Sequence, residues 1–163
     1  MIAEIIIFKQ EITHDIEADV RQLERMRKLT DTPILTNDDA DRYSLNTQID
    51  LALSIAISRL QAYVISTPCH SHQVAHDHTT DWDEKKITLD MPFSWPQHLL
   101  EPLKNAVHRF IVKTALHNFL RVALPQDPYT TLSLDEANEA SNRINSLISD
   151  RLGPIKIHPT PFG

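Results

Sequence analysis

The segment from about Gln97 to Val122 constrains this chain more than any other. Leu99, Leu100, Leu103, Val107, Phe110, Ile111, Ala115, Leu116, Phe119 and Leu120 recur at helical spacing and cover well over half of a helix circumference. One neighbour cannot hide an arc that wide, so the pattern predicts a central helix packed on several sides. The rest of the chain supplies the neighbours. Ile16, Val20, Leu23 and then Met26 or Leu29 mark a helix from about Asp15 to Leu29, with acids early and bases late, as the helix dipole favours. Ile49, Ala52, Leu53, Ala56, Ile57, Leu60 and Val64 predict a longer helix, capped by Asn37 or Asp38 and ending near Ser66 ahead of Pro68. Pro125 and Pro128 close the central helix. Ser133 with Glu136 reads as a capping box that opens a fourth helix, with Ala137, Ala140, Ile144 and Leu147 or Ile148 along its stripe and Gly153-Pro154 as its stop.

Two segments read as β. Ile2 to Ile12 is rich in β-branched residues and predicts a short strand at least partly covered on both faces. Lys86 to Phe93 alternates polar with apolar, a strand with one buried face that Pro92 and Pro96 confine to an edge or end. Prolines 154, 159 and 161 around Ile155-Lys156-Ile157 exclude a helix and leave an extended arm. The predicted fold is mainly α: a four-helix domain over 1–153 with a small β element, formed by the N-terminal strand and the strand near 86–93. A histidine-rich loop occupies 67–84, and the C-terminal arm occupies 154–163.

At 163 residues the chain has room for one core of ordinary size. No apolar run approaches the roughly 20 residues that span a bilayer, so no membrane segment is expected. Glu4 stands where a signal peptide carries basic residues, and Cys69 is the sole cysteine, which excludes an intramolecular disulfide. There are only two glycines, Gly153 and Gly163. Average usage predicts about eleven. Loops that cradle phosphate need glycine for close backbone approach, so no P-loop or dinucleotide fingerprint is present and no cofactor is expected. A formal charge of −6 argues against sequence-specific nucleic-acid binding, which needs a basic surface.

The tract Cys69-His70-Ser71-His72-Gln73-Val74-Ala75-His76-Asp77-His78 is the one stretch with metal-site chemistry. On an extended chain His70, His72, His76 and His78 share a face, and three imidazoles can hold zinc with one position open to water. The His-x-His-x-Asp-His spacing of metal-dependent hydrolases is not met, because Gln73 and Val74 follow His72 and Asp77-His78 comes late. A solvated loop and a subunit contact are the competing readings. His108 and His117 on the central helix read as partly buried or exposed histidines rather than catalytic ones. Cys69 with His70 makes a poor nucleophile–base pair, since neighbours in a strand face opposite ways. Asp38, Asp39 and Asp41 complement a helix start without calcium. Trp82 and Trp95 bracket the second strand and suit either an interface or a lock onto the helices. Ile155, Lys156 and Ile157 form a stiff, β-capable segment able to add to a neighbouring subunit's sheet edge.

The layout itself carries a resemblance. A β-rich start leads through an amphipathic helix to Thr36-Asn37-Asp38-Asp39, and a helix of the type Ala-x-x-x-Ile-x-x-Leu-x-x-Tyr follows from Ala52 to Tyr63. After a loop come Pro92-Phe93-Ser94-Trp95-Pro96, a long apolar helix, an alanine-bearing helix over Asp135 to Leu152, and a proline-rich tail. Over roughly residues 1–158 this resembles small proteins of phage and prophage morphogenesis clusters, especially those of Bacteroides-type phages, and more distantly the head–tail connector (neck adaptor) families. The histidine-rich loop and the weakly basic tail depart from them. The resemblance implies a structural, non-enzymatic virion protein: a homo-oligomeric ring subunit under the portal protein, in contact with tail or neighbouring neck proteins, assembled in the host cytoplasm and resident at the head–tail junction. A tail-completion or terminator protein is the nearest alternative. A metal-dependent hydrolase using His70 to His78 and a cytoplasmic helical adaptor are the alternatives from other classes.

Overall fold

The computed structural model describes residues 1–29, 33–66 and 82–149. The chain opens with strand β1 (Ile2–Phe8), which passes directly into helix α1 (Lys9–Arg27). Helix α2 (Asp39–Leu60) and the short strand β2 (Val64–Ser66) follow. Strand β3 (Glu84–Asp90) then leads through a 3-10 turn (Gln97–Leu99) into α3 (Leu100–Ala123) and α4 (Pro128–Ser149). Four helices and a small antiparallel sheet make the mainly helical fold that the periodicities predict.

Helix α3 is central. It packs most extensively against α4 and α2, and also against α1 and β1. Leu103, Val107, Ile111, Ala115, Leu116 and Leu120 are fully enclosed, and the Arg59 guanidinium lies over the Phe110 ring from α2. The sheet covers the core with one face: Ala3, Ile5 and Ile7 of β1 and Ile87 and Leu89 of β3 are buried.

Several boundaries differ from the sequence expectations. Helix α1 begins at Lys9, not near Asp15, because Ile12 belongs to the stripe of Ile16, Val20 and Leu23. Its C-terminus closes with Lys28 in the left-handed region (φ 56°), the Lys28 N–H on the Arg25 carbonyl and the Leu29 N–H on that of Glu24. Glycine is the usual residue there, and a side chain costs about 1 kcal/mol. Helix α2 has Asp38 at its N-cap as expected, though without a side-chain capping bond, and Asp41 in its first turn ties down the preceding loop by accepting from the Thr36 hydroxyl and N–H at 2.5 and 2.9 Å. Those bonds hold the Asp41 carboxyl below the usual carboxylate range. The helix stops at Leu60 because the residues beyond it join the sheet: Tyr63 accepts from the Asp90 N–H, and Val64 pairs with Leu89.

Strand β3 is the middle strand of the order β1-β3-β2, antiparallel to both neighbours, so of the two expected effects of Pro92 it is the second that holds: the proline follows the end of the strand and does not mark an edge. Pro92 lies past the last paired residue and so costs the ladder nothing. The turn there also ends the alternation, leaving Phe93 almost wholly exposed. On β1 the odd-numbered side chains are buried, whereas the face of Ile2, Ile6 and Phe8 is covered only in part.

Helix α4 starts five residues before the expected capping box. Ser133 lies inside it, fully buried, with its hydroxyl on the Tyr129 carbonyl. Pro128 is not a terminator of α3. It occupies the first position of α4, where the missing N–H is no loss. Asp127 caps this start: its Oδ1 accepts from the Tyr129 N–H at 2.8 Å while both carboxylate oxygens take Arg27 of α1 at 3.0 and 3.1 Å. The Arg27 bonds and then the Tyr129 N–H hold the Asp127 carboxyl below its ordinary value of 3.8. A depressed carboxylate stabilises the fold above its unfolded value, and that contribution is lost as the pH falls through the folded one. Asp127→Ala is expected to cost about 1–2 kcal/mol at pH 7 in urea unfolding, with the deficit shrinking at pH 3. An equal deficit at both pH values would show that the carboxylate charge is irrelevant.

Candidate assembly interface

Among the described residues strand β1 has one bare margin, and its hydrogen-bond parity shows which groups lie there. Just ahead of its first residue the Met1 amino group donates to the Met91 carbonyl at 2.6 Å, and the Met91 N–H donates to the Met1 carbonyl at 2.9 Å. At the other end Lys9 N–H donates to Asp83. Antiparallel neighbours exchange bonds at alternate positions, so the odd-numbered residues of β1 face β3. The even-numbered Ile2, Glu4 and Ile6 turn their N–H and C=O groups to the opposite margin. Among the described residues β1 pairs with β3 alone.

The same even-numbered positions carry the outer face. Ile2 is 67% exposed, Phe8 41% and Ile6 39%, and the one charge among them, Glu4, is paired with Lys86 at 2.6 Å. The far margin of the sheet is different: β2 has three residues and an irregularity between Val64 and Ser66. Short, bulged edges resist pairing with other chains, whereas a seven-residue apolar edge invites it. Ile2, Ile6 and Phe8 are absent from the sequence expectations. The available signal is Glu4, which marks the even-numbered set as the outer face.

The tryptophans act inside the chain. Trp95 is 2% exposed and its Nε1–H donates to the Leu147 carbonyl at 2.9 Å, so the turn after β3 is locked to α4. Trp82 is also buried, its Nε1–H donates to Asp50 of α2 at 2.6 Å, and the ammonium groups of Lys9 and Lys85 lie over its ring at 5.3 and 5.9 Å. Of the two readings open for them, an interface or a lock, these bonds support the lock: each ties the flank of β3 to a helix.

The central-helix histidines both have partners. His108 Nε2 lies 2.8 Å from Asp15 Oδ2, and His117 Nδ1 lies 2.9 Å from the Thr130 carbonyl. Asp15 and His108 sit on an open groove of about 620 Å³ shared with Phe8, Glu11, His14 and Asp83. Beyond them Lys113 bridges Asp19 of α1 and Glu136 of α4 at 2.7 and 2.8 Å. This row ties three helices together. Among the described residues no His, Cys, Asp and Glu side chains gather as a metal ion requires. His70, His72, His76 and His78 lie outside the described residues, as do Cys69 and the arm residues Ile155, Lys156 and Ile157. No helix among the described residues is long and apolar enough to cross a membrane. Comparison with protein-family models, with curated proteins and with solved structures finds no match.

Proposed function

We propose that this chain is a structural subunit of a virion head-to-tail connector, a neck ring that joins portal and tail. The observation that carries the reading is the bare β1 margin on a mainly helical body. It is a long edge with outward backbone groups and the apolar side chains of Ile2, Ile6 and Phe8 beside it. A surface of that kind suits permanent contact with another protein chain. The order of helices and strands that resembles connector proteins supports the same reading, and so does the acidic balance of the chain. A negative surface lets DNA pass without adhering to it.

The test is made on particles from the phage or induced prophage that encodes the chain. Native mass measurement and antibody labelling of untagged protein are expected to find it at the neck in several copies. A chain absent from particles, monomeric and carrying one tightly bound zinc per molecule would overturn the connector and favour a hydrolase built on His70 to His78.

A further inference from the structure

We propose that the bare margin of β1 is the acceptor for residues 155–157 of a neighbouring copy, whose arm adds to the sheet as a fourth, antiparallel strand. The proposal rests on the connector reading for its biological setting, though the pairing itself is a property of the purified chain.

The acceptor has a defined chemistry. Ile2, Glu4 and Ile6 turn backbone donors and acceptors outward, and Ile6 and Phe8 stand two residues apart on the exposed face. An added strand must offer backbone groups at the same spacing and apolar side chains of one parity. In the sequence, Ile155 and Ile157 have that parity, and Lys156 and His158 complete the strand. Pro154 and Pro159 bracket it. Proline cannot donate to a ladder, so the pair limits the added strand to four residues and prevents further sheet growth. The charge is complementary as well: 154–163 contains a lysine and no acid, in a chain with a formal charge of −6.

Two other occupants fit less well. If two β1 strands paired about a twofold axis at Ile5, Glu4 would meet its symmetry mate as a diagonal neighbour about 7–8 Å away. The arm of the same chain is the other candidate. Trp95, four residues past the Met1–Met91 pair, holds Leu147 of α4. An arm that entered from the Ile2 end would run parallel to β1, the less stable pairing per residue and foreign to this all-antiparallel sheet. A neighbour's arm is free to enter antiparallel. Donor and acceptor then lie on different parts of each subunit, the head-to-tail arrangement that closes into rings.

The experiment uses the purified full-length chain in sedimentation velocity up to about 100 μM, a range that captures weak strand addition. Three full-length variants accompany it: Ile6→Lys, which charges the exposed face; Ile6→Pro, which removes only an outward N–H; and Ile157→Asp in the arm. Circular dichroism confirms folding, and Ile6→Lys alone suffices if Ile6→Pro does not fold. The wild type is expected to self-associate, and each variant to do so about tenfold more weakly or worse. Mixing Ile6→Lys with Ile157→Asp is expected to give one-to-one heterodimers that grow no further, because one variant retains the arm and the other the edge. Wild-type association preserved in Ile157→Asp but lost in Ile6→Lys would overturn the proposal in favour of edge-to-edge pairing. A wild type that remains monomeric would overturn it too. A monomer that is nevertheless found at the particle neck leaves the connector standing without this pairing. A self-associating chain absent from particles does the reverse.

Discussion

Trp95→Ala is expected to lower the unfolding free energy by about 3–5 kcal/mol, the cost of emptying a fully packed aromatic site. The indole is 2% exposed and its N–H is bonded to the Leu147 carbonyl, so the substitution removes packing and strands a buried acceptor together. Trp95→Phe keeps most of the volume and loses the donor. Its expected cost is about 1–3 kcal/mol, the desolvation of an unpaired carbonyl. Urea unfolding of the three proteins separates the two contributions. A fall below about 1 kcal/mol in Trp95→Ala would contradict the enclosed position of this ring, and a change in self-association without loss of stability would return Trp95 to an interface.

Lys113→Met carries the second large effect. The ammonium is held between Asp19 and Glu136 with its side chain 13% exposed, and the two carboxylates are 24% and 26% exposed. Removing the cation leaves two half-buried carboxylates facing a methyl group. Breaking a fully buried pair costs about 3–5 kcal/mol, and partial solvent access here reduces the expectation to about 2 kcal/mol. Arg109, at 3.4 Å from Glu136, moderates the loss. Burial is the largest influence on the Lys113 ammonium and acts downward. The hydrogen bonds to Asp19 and Glu136, joined by the charges of Asp19 and Tyr129, outweigh it, and the group stays charged above its ordinary 10.5. A raised lysine stabilises the fold fully below the unfolded value, and the contribution disappears as pH rises through the folded one. The gap between wild type and Lys113→Met should therefore be constant near neutrality and close above pH 10.5. Tyr129 is pushed upward chiefly by its burial and drawn back by the Lys113 charge, so the two groups are coupled and the comparison is made in a Tyr129→Phe background. A gap that persists unchanged at pH 12 would mean that the lysine acts through its alkyl chain alone.

The parts of this fold that were legible in the sequence are those written in local spacing. Val107, Ile111 and Leu120 repeat at helical intervals around more than one face, and α3 is accordingly the helix that the others surround. The stripe of α4 from Ala137 to Ile148 is buried residue for residue. The starts and stops were less legible. Ser133 and Glu136 have the spacing of a capping box, yet the serine sits a turn and a half inside α4, because Asp127-Pro128 offers an earlier start. Val64 continues the stripe of α2 at the correct interval and is nevertheless a strand residue.

The candidate interface divides in the same way. The composition of Ile2 to Phe8 announces a strand, but a contiguous run such as Ile5-Ile6-Ile7 does not say whether one face is covered or two. That was settled by β3, more than seventy residues away, whose pairing with β1 fixes the parity of every bond and leaves the even-numbered residues outside. Trp82 and Trp95 were ambiguous for a related reason: an aromatic beside a strand suits a lock or a contact equally, and Asp50 and Leu147 decided it.

The sequence by itself determined the helices, their buried stripes and the β character of the segments that open at Ile2 and near Lys86, because side-chain periodicity and turn chemistry act within a few residues. Only the tertiary structure decided where α2 yields to β2, which strand lies in the middle and which margin of the sheet stays bare. Those choices depend on pairings between residues 22 to 90 positions apart, whose energies no local window contains.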